Sequence, residues 1–171
     1  MGATLLTVDL GDLHHVGVVT DDLERSMSSE TFAGATWTRT HDNALRQYLN
    51  GNGEVQEVVM NVCWTTRASV TLEIIQAVPG TLWEPRGHTY IHHLGYRVER
   101  FEDVCETFAQ QGVLPILTWA GGPPGRPFGF AYFDVGDGVY LEPSDVNIAA
   151  KARLTEADAA QVRAMQERQD D

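Results

Sequence analysis

The hydrophobic and polar positions follow a pattern that occurs twice along the chain. Residues 14–24 read H-H-V-G-V-V-T-D-D-L-E and residues 92–102 read H-H-L-G-Y-R-V-E-R-F-E, so both histidine pairs, the glycine and the last glutamate recur. In each copy a β-like apolar run passes into an acidic helix start. The run V-T-L-E ending at Glu73 is echoed by V-Y-L-E ending at Glu142. Two echoes in the same order predict a duplicated strand-and-helix unit.

The first copy continues into a short helix and then into extended segments. Asp21 or Asp22 can cap the helix, which we expect to end near Gly34. The run N-G-N-G at 50–53 is a strong turn signal between strands. Extended segments are predicted at residues 36–40, 46–49, 54–64 and 68–76, and the last two of these form a hairpin.

The second copy is predicted to contain a longer helix at residues 102–111. That helix places Val104, Cys105 and Phe108 on one face, and Gly112 is its expected C-cap. After it we predict a strand at 115–119, a Gly/Pro-rich loop at 120–127 that is a candidate lid, and a hairpin around G-D-G at 136–138.

These elements divide the chain into two similar modules, residues 1–80 and 88–145, and a tail, residues 150–171. In the tail, the run T-E-A-D that begins at Thr155 resembles a capping box. We therefore predict a C-terminal helix there, serving as a packing or dimer-contact element.

Composition and charge narrow the range of functions. The 171 residues carry a formal net charge of −12 at pH 7 and contain no run of Lys or Arg, which argues against nucleic acid and anionic membranes as partners. The N-terminus lacks a basic region and no later stretch approaches a membrane span, so we expect a soluble, cytoplasmic protein. We also expect it to act on a small molecule and to form a homodimer. Cys63 and Cys105 are expected to be buried free thiols.

Period-two alternation in the repeated strands selects one histidine of each pair. His15 shares a strand face with Gly17, and His93 shares one with Gly95. The glycines are expected to leave room for a ligand on these faces, whereas the larger apolar sets on the opposite faces should pack under the helices.

Glu73 and Glu142 lie inside apolar strands, where a carboxylate is costly to bury unless it is paired, protonated or bound to a metal. A single strand histidine is more often a hydrogen-bonding residue, and a single strand glutamate often faces solvent. One imidazole and one carboxylate per module at matched positions nevertheless favour a four-ligand site for a divalent cation. His41 and His88 have no counterpart in the other copy and are expected to be surface or loop residues.

The repeated motifs resemble those of the vicinal oxygen chelate superfamily over about residues 12 to 145. They are H-V-G-V-V after His14, L-E-I-I at 72–75, H-H-L-G-Y-R-V at 92–98 and V-Y-L-E at 139–142. The resemblance implies an α+β fold in which two tandem βαβββ modules form a curved mixed sheet around one metal, here followed by the C-terminal helix. The ligands that it implies, a set like that of bacterial glyoxalase I, are His15, Glu73, His93 and Glu142.

One position departs from the pattern of the family's epimerases. Asn52 stands near the place where those enzymes carry a catalytic glutamate, and Glu54 and Glu57 are close but out of register. This departure disfavours a simple epimerase assignment within the superfamily.

The resemblance implies a divalent-metal-dependent lyase or isomerase that chelates adjacent oxygens of a small organic substrate and stabilises an enediolate. Glu142 or Glu73 would be the catalytic base, with Glu57 as a further candidate. One ion per site is implied, and Ni, Zn, Co, Mn and Fe all suit these ligands. An Fe(II) dioxygenase using His15, His93 and Glu142, and a metal-free binding protein of the antibiotic-resistance kind, are the alternatives.

Four residues are predicted to contact the substrate. Arg97 shares the face of His93 and could pair with a carboxylate or phosphate, or else form a surface ion pair. Phe130 and Tyr132, together with Trp119 and the lid, would form an apolar wall, although aromatic residues at alternate strand positions are also typical of a core.

Overall fold

The computed structural model of the chain describes residues 8–66 and 70–147. The strands in these residues are β1 (Leu13–Thr20), β2 (Thr36–Asn50), β3 (Val55–Thr66), β4 (Thr71–Gln76), β5 (Tyr90–Val98), β6 (Pro115–Trp119), β7 (Ala131–Asp134) and β8 (Tyr140–Asp145). The helices are α1 (Leu23–Met27), α2 (Phe101–Gln110) and a 3-10 helix at Glu30–Phe32. The helix predicted for residues 150–171 lies outside the described residues.

The strands form one curved mixed sheet that closes on itself in the order β1-β4-β3-β2-β6-β7-β8-β5. β1 is parallel to β4 and β5 is parallel to β8, whereas the other neighbouring strands are antiparallel. Each half of the sheet therefore has the same internal order. β1 and β5, which carry the repeated sequences, are neighbours. The predicted α+β fold with a curved mixed sheet is confirmed.

α2 begins and ends within one residue of the predicted helix at 102–111, whereas α1 ends at Met27, well before the predicted end near Gly34, and a separate 3-10 helix follows it. Asp22 caps α1, and its side chain accepts a hydrogen bond from the backbone N–H of Arg25 at 3.0 Å. Gly34, with φ +86°, follows the 3-10 helix, and Gly112, with φ +79°, follows α2. Among the described residues, no helix combines the length and apolar character that a membrane span requires.

The strand before the turn at 50–53 is longer than predicted. The two extended segments predicted at 36–40 and 46–49 are one continuous strand, β2. The pairing with β3 shifts register around His41 to Ala44, where Asn43 has φ +48°. This irregularity is absorbed as a bulge, so the ladder continues past it.

Apolar clusters on the outer face of the sheet hold the two α-helices against it. The outer face packs on α2 through Val98, Phe101, Cys105, Phe108, Ala131 and Phe133, and on α1 through Val18, Leu23, Cys63 and Ile74. The rings of Phe108 and Phe133 stack with centroids 4.0 Å apart. Both cysteines are buried free thiols, as predicted. Because the helices cover the outer face, the interior face remains for the candidate site.

Candidate metal centre

The antiparallel pairing of β1 and β5 brings His15 and His93 together. In this register His15 is opposite Gly95, and His93 is opposite Gly17. Each imidazole lies over the glycine of the other strand, and a Cβ added at either glycine would overlap the opposing ring. The prediction that the glycines leave room for a ligand is therefore wrong in detail, because the histidine rings occupy that space.

The parallel pairs add the two glutamates to the same place. Glu73 on β4 is the partner of Gly17, and Glu142 on β8 is the partner of Gly95. Each glycine therefore has a histidine on one neighbouring strand and a glutamate on the other. The interior of the closed sheet gathers these four side chains although they are far apart in sequence.

The spacing of the four side chains fits one divalent cation. His15, Glu73, His93 and Glu142 each offer a ligand atom, and these atoms lie within 4.8 Å of one another. Nε2 of His93 is 2.9 Å from Nε2 of His15, 3.1 Å from Oε2 of Glu73 and 3.0 Å from Oε2 of Glu142. Nε2 of His15 is 3.8 Å and 4.0 Å from the same two oxygens. Ligands that each lie about 2.0–2.2 Å from one ion are roughly 3–4.4 Å apart, which matches these distances.

The two carboxylates differ in how firmly they are held. Ser144 donates a hydrogen bond to Oε1 of Glu142 at 2.7 Å, and the buried Tyr132 hydroxyl also hydrogen-bonds to Glu142. Burial alone would raise the pKa of Glu142, but the charge and hydrogen bond of His93 lower it to about 2. Burial raises the pKa of Glu73, and the hydrogen bond of Glu73 with His93 opposes this increase.

The pKa values of His93 and His15 are shifted in opposite directions. Burial would lower the pKa of His93, but the charge of Glu142 and hydrogen bonds to both carboxylates raise it to about 9. Burial lowers the pKa of His15 to about 4. In the metal-free protein a His93 cation therefore supplies the positive charge between the carboxylates that a divalent ion would supply when bound.

We expect the metal-free protein to lose stability as the pH rises from 6.5 to 9. The folded-state pKa of His93 is raised from 6.5 to about 9, so its contribution is complete below pH 6.5 and is lost as the pH passes through 9. The raised pKa of Glu73 has the same sign, because ionising this buried carboxylate costs free energy, and its effect begins at the ordinary pKa of a glutamate. Urea unfolding should show a decrease of the order of a few kcal/mol across this range.

His93→Gln is the control for this pH dependence, because the amide does not titrate and the slope between pH 6.5 and 9 should become smaller. Below pH 6.5 the lowered pKa values of His15 and His92 have the opposite effect, since the unfolded chain then binds more protons than the folded one. An unfolding free energy that is constant or rises from pH 6.5 to 9 would contradict the placement of His93 between the carboxylates.

The second histidine of each pair also belongs to the site, which the alternation argument did not predict. Nδ1 of His14 lies 3.0 Å from Nδ1 of His15, and Nδ1 of His92 lies 2.9 Å from Nδ1 of His93. Burial, followed by the charge of His93, lowers the pKa of His92 to about 3. The sequence signal was available, because the histidine is doubled in both copies.

A cavity of about 220 Å³ opens onto the two carboxylates. Aromatic side chains form much of its wall, including Trp64 and Trp83. His41 is half-buried in β2 and lines this cavity, so its prediction as a surface or loop residue is wrong. His88 is exposed in the loop before β5, as predicted.

Three of the four predicted substrate contacts, Trp119, Phe130 and Tyr132, line this cavity. Arg97 is exposed and lines a separate groove beside the start of α2. Burial, followed by the charge of Arg97, lowers the pKa of His14. Glu57, the further candidate base, is exposed and accepts a hydrogen bond from Gln47 at 2.8 Å, on the opposite side of β3 from the buried residues that face the interior.

Comparisons with known proteins agree with the observed fold. A family model for the glyoxalase/bleomycin resistance protein/dioxygenase superfamily matches residues 14–133. No curated protein matches the chain. The crystal structure of a hypothetical protein from Bacillus halodurans has 15% sequence identity to this chain, with a TM-score of 0.50 over 78% of this chain and 93% of its own.

Two further solved structures have lower TM-scores. Methylmalonyl-CoA epimerase from Mycobacterium tuberculosis is 16% identical, with a TM-score of 0.48 over 85% of this chain and 91% of its own. A mutant fosfomycin resistance protein from Listeria monocytogenes, solved with Mn(II), is 16% identical, with a TM-score of 0.27 over 78% of this chain and 90% of its own. At 15% identity, the match to the Bacillus halodurans structure concerns the fold alone and leaves the reaction open.

Proposed function

The chain belongs to the glyoxalase/bleomycin resistance protein/dioxygenase superfamily, and on this basis we propose that it is a metal-dependent lyase or isomerase acting on a small organic substrate with adjacent oxygens. The observation that carries the proposal is the buried convergence of His15, Glu73, His93 and Glu142. A divalent ion held there, drawn from Ni, Zn, Co, Mn or Fe, would supply a Lewis acid for the substrate oxygens.

The hydrogen bonds around the carboxylates support Glu73 as the catalytic base. Ser144, Tyr132 and His93 all hold Glu142, which suits a permanent ligand. Among the described residues, Glu73 has ion pairs only with the two histidines. Its carboxylate is therefore freer to turn toward the cavity, take a proton from the carbon next to a substrate carbonyl and return it to the neighbouring carbon.

The cavity supports a small, largely apolar substrate. Its volume of about 220 Å³ is below the range of roughly 300–1,000 Å³ that is usual for drug-sized ligands. Trp64, Trp119 and Phe130 offer aromatic faces, and His41 is the one basic side chain outside the four-residue set among the described residues that line it. An uncharged organic body with two adjacent oxygens matches this lining better than a phosphorylated one.

Substituting each carboxylate should separate the base from the ligand. We expect Glu73→Gln to retain metal and to lose about 10²–10⁴-fold in kcat, the usual contribution of a general base. Glu142→Gln should instead lose metal, because it removes the carboxylate that three neighbours hold in place. Elemental analysis and turnover of the metal-loaded proteins check both results. Retention of metal and activity in both variants would contradict the assignment.

A solvent-exchange experiment tests the proposed reaction. The protein, loaded separately with Ni, Zn, Co, Mn and Fe(II), is incubated in D₂O with a panel of hemithioacetals, 2-hydroxy ketones, thioesters and catechols. Metal-dependent entry of deuterium next to a carbonyl supports the proposal. Oxygen consumption with Fe(II) that survives Glu73→Ala would replace it with a dioxygenase. Chelator-insensitive binding without turnover would replace it with a metal-free binding protein.

A further inference from the structure

Two β-bulges place a second histidine beside each histidine of the candidate metal centre. Between the pairs Leu13–Tyr96 and His15–Gly95, β1 has one extra residue, which is His14. Between the pairs Gly17–His93 and Val18–Ile91, β5 has one extra residue, which is His92. A bulge lets two consecutive side chains approach the same region, which a regular strand does not allow.

The contacts of His92 define which ring nitrogen of His93 carries a hydrogen. Nε2 of His92 is 3.3 Å from the backbone carbonyl oxygen of Leu82. A carbonyl can only accept a hydrogen bond, so Nε2 of His92 is the donor and, in a neutral ring, its Nδ1 is an acceptor. Nδ1 of His93, 2.9 Å away, must then donate. Nε2 is therefore the nitrogen of His93 that faces the four-residue site. It carries the second hydrogen in the metal-free cation, and it would present its lone pair once a divalent ion displaced that hydrogen.

The surroundings of His92 favour the neutral ring that this reasoning requires. Its side chain is 1% exposed. The rings of Trp83, Tyr132 and Tyr140 lie around it, with centroids 5.0 to 6.1 Å from its own. Among the described residues its hydrogen-bond partners are His93 and Leu82. A charged imidazolium in this aromatic environment would have no directly contacting carboxylate.

We propose that His92 is a positioning residue that fixes the tautomer and the ring orientation of His93, so that Nε2 faces the cation. This inference rests on the metal site of the proposed function. His14 makes the same Nδ1 contact with His15, but it is half-buried and has no carbonyl partner on its other nitrogen among the described residues. We therefore expect His14 to fix the ring of His15 less firmly than His92 fixes the ring of His93.

Affinity for Zn²⁺ tests the role of His92 in the whole chain. His92→Phe keeps a ring but removes the acceptor, and it should weaken Zn²⁺ binding by about 10–100-fold, the usual effect of losing such a partner. His92→Asn places an amide oxygen near the position of Nδ1 and should recover most of that affinity. His14→Phe should have a smaller effect than His92→Phe. His88→Phe, at an exposed histidine, is the control and should bind Zn²⁺ like the parent protein.

Long-range ¹H–¹⁵N spectra of histidine-labelled protein give a second readout, which a merely structural role would not move. In the Zn²⁺-loaded parent, Nδ1 of His93 should be protonated and Nε2 should not. Equal Zn²⁺ affinity in His92→Phe and the parent, or a protonated Nε2 in the loaded state, would overturn the inference.

The binding measurements and the spectra together distinguish failure of the inference from failure of the proposed function. If His92→Phe does not fold, as judged by circular dichroism, the His92→Asn variant and the spectra of the parent decide the matter. If the parent takes up neither Zn²⁺ nor Ni²⁺, Co²⁺, Mn²⁺ or Fe²⁺, the proposed function fails. The spectra of the metal-free parent then still show whether Nδ1 of His93 donates to His92, and absence of that hydrogen bond would overturn the inference as well.

Discussion

Replacing His93 by alanine is expected to abolish metal binding and to destabilise the metal-free protein. Nε2 of His93 lies within 3.1 Å of His15, Glu73 and Glu142, and its side chain is fully buried. Without it, the two carboxylates lose their positive partner in the metal-free state, and breaking a buried pair in this way costs about 3–5 kcal/mol. Loss of the Lewis acid should lower activity by about a thousandfold or more.

Elemental analysis, urea unfolding and turnover measure the three effects of His93→Ala. His88→Ala is the matched control, because His88 is exposed in a loop and should leave all three unchanged. A His93→Ala protein that keeps its ion and the stability of the parent would show that the four side chains do not act as one site.

Replacing Gly17 by alanine is expected to have the second largest effect, although it adds one methyl group. The new Cβ would overlap the imidazole of His93. That ring cannot move aside without loss, because Nδ1 contacts His92 and Nε2 contacts the carboxylates. Overpacking of this kind costs about 1–3 kcal/mol, and a displacement of the ring by about 1 Å can cost a hundredfold in function.

The glycines of this chain supply the controls for that experiment. Gly95→Ala should behave like Gly17→Ala, because its Cβ would overlap the ring of His15. Gly121→Ala should be neutral, because no atom lies within 4 Å of its added Cβ and its backbone does not require a positive φ. Zn²⁺ affinity and urea unfolding distinguish these results. Wild-type Zn²⁺ affinity in Gly17→Ala would contradict the close packing of glycine and histidine.

Repetition is what made much of the fold and the four-residue set predictable. A polar residue within one apolar strand is ambiguous, but the same residue type at matched positions of two copies is not easily explained by surface chemistry. Alternation then selected His15 and His93, and the register of β1 with β5 places those two rings in contact. These two histidines were predictable from the sequence because the period-two alternation of a strand determines which side chains share a face.

The remaining features depend on departures from that period and on distant packing. The alternation argument missed His14 and His92 because each is the extra residue of a bulge, where a strict period of two no longer applies. The doubled histidine was their sequence signal. His41 lines the cavity from the stretch of β2 where the pairing with β3 shifts register, which a local sequence pattern does not show. The prediction of open space at Gly17 and Gly95 is wrong, because the pairing of two distant strands fills that space with imidazole rings.

Metal titration of the chelator-treated, untagged 171-residue chain tests the central claim most directly. We predict uptake of one divalent ion per chain, measured by calorimetry with Zn²⁺, Ni²⁺ and Co²⁺ and verified by elemental analysis after gel filtration. We also predict that His93→Ala takes up none. Failure of the parent chain to bind any divalent ion, including Mn²⁺ and Fe²⁺, would contradict the claim that His15, Glu73, His93 and Glu142 form a metal centre.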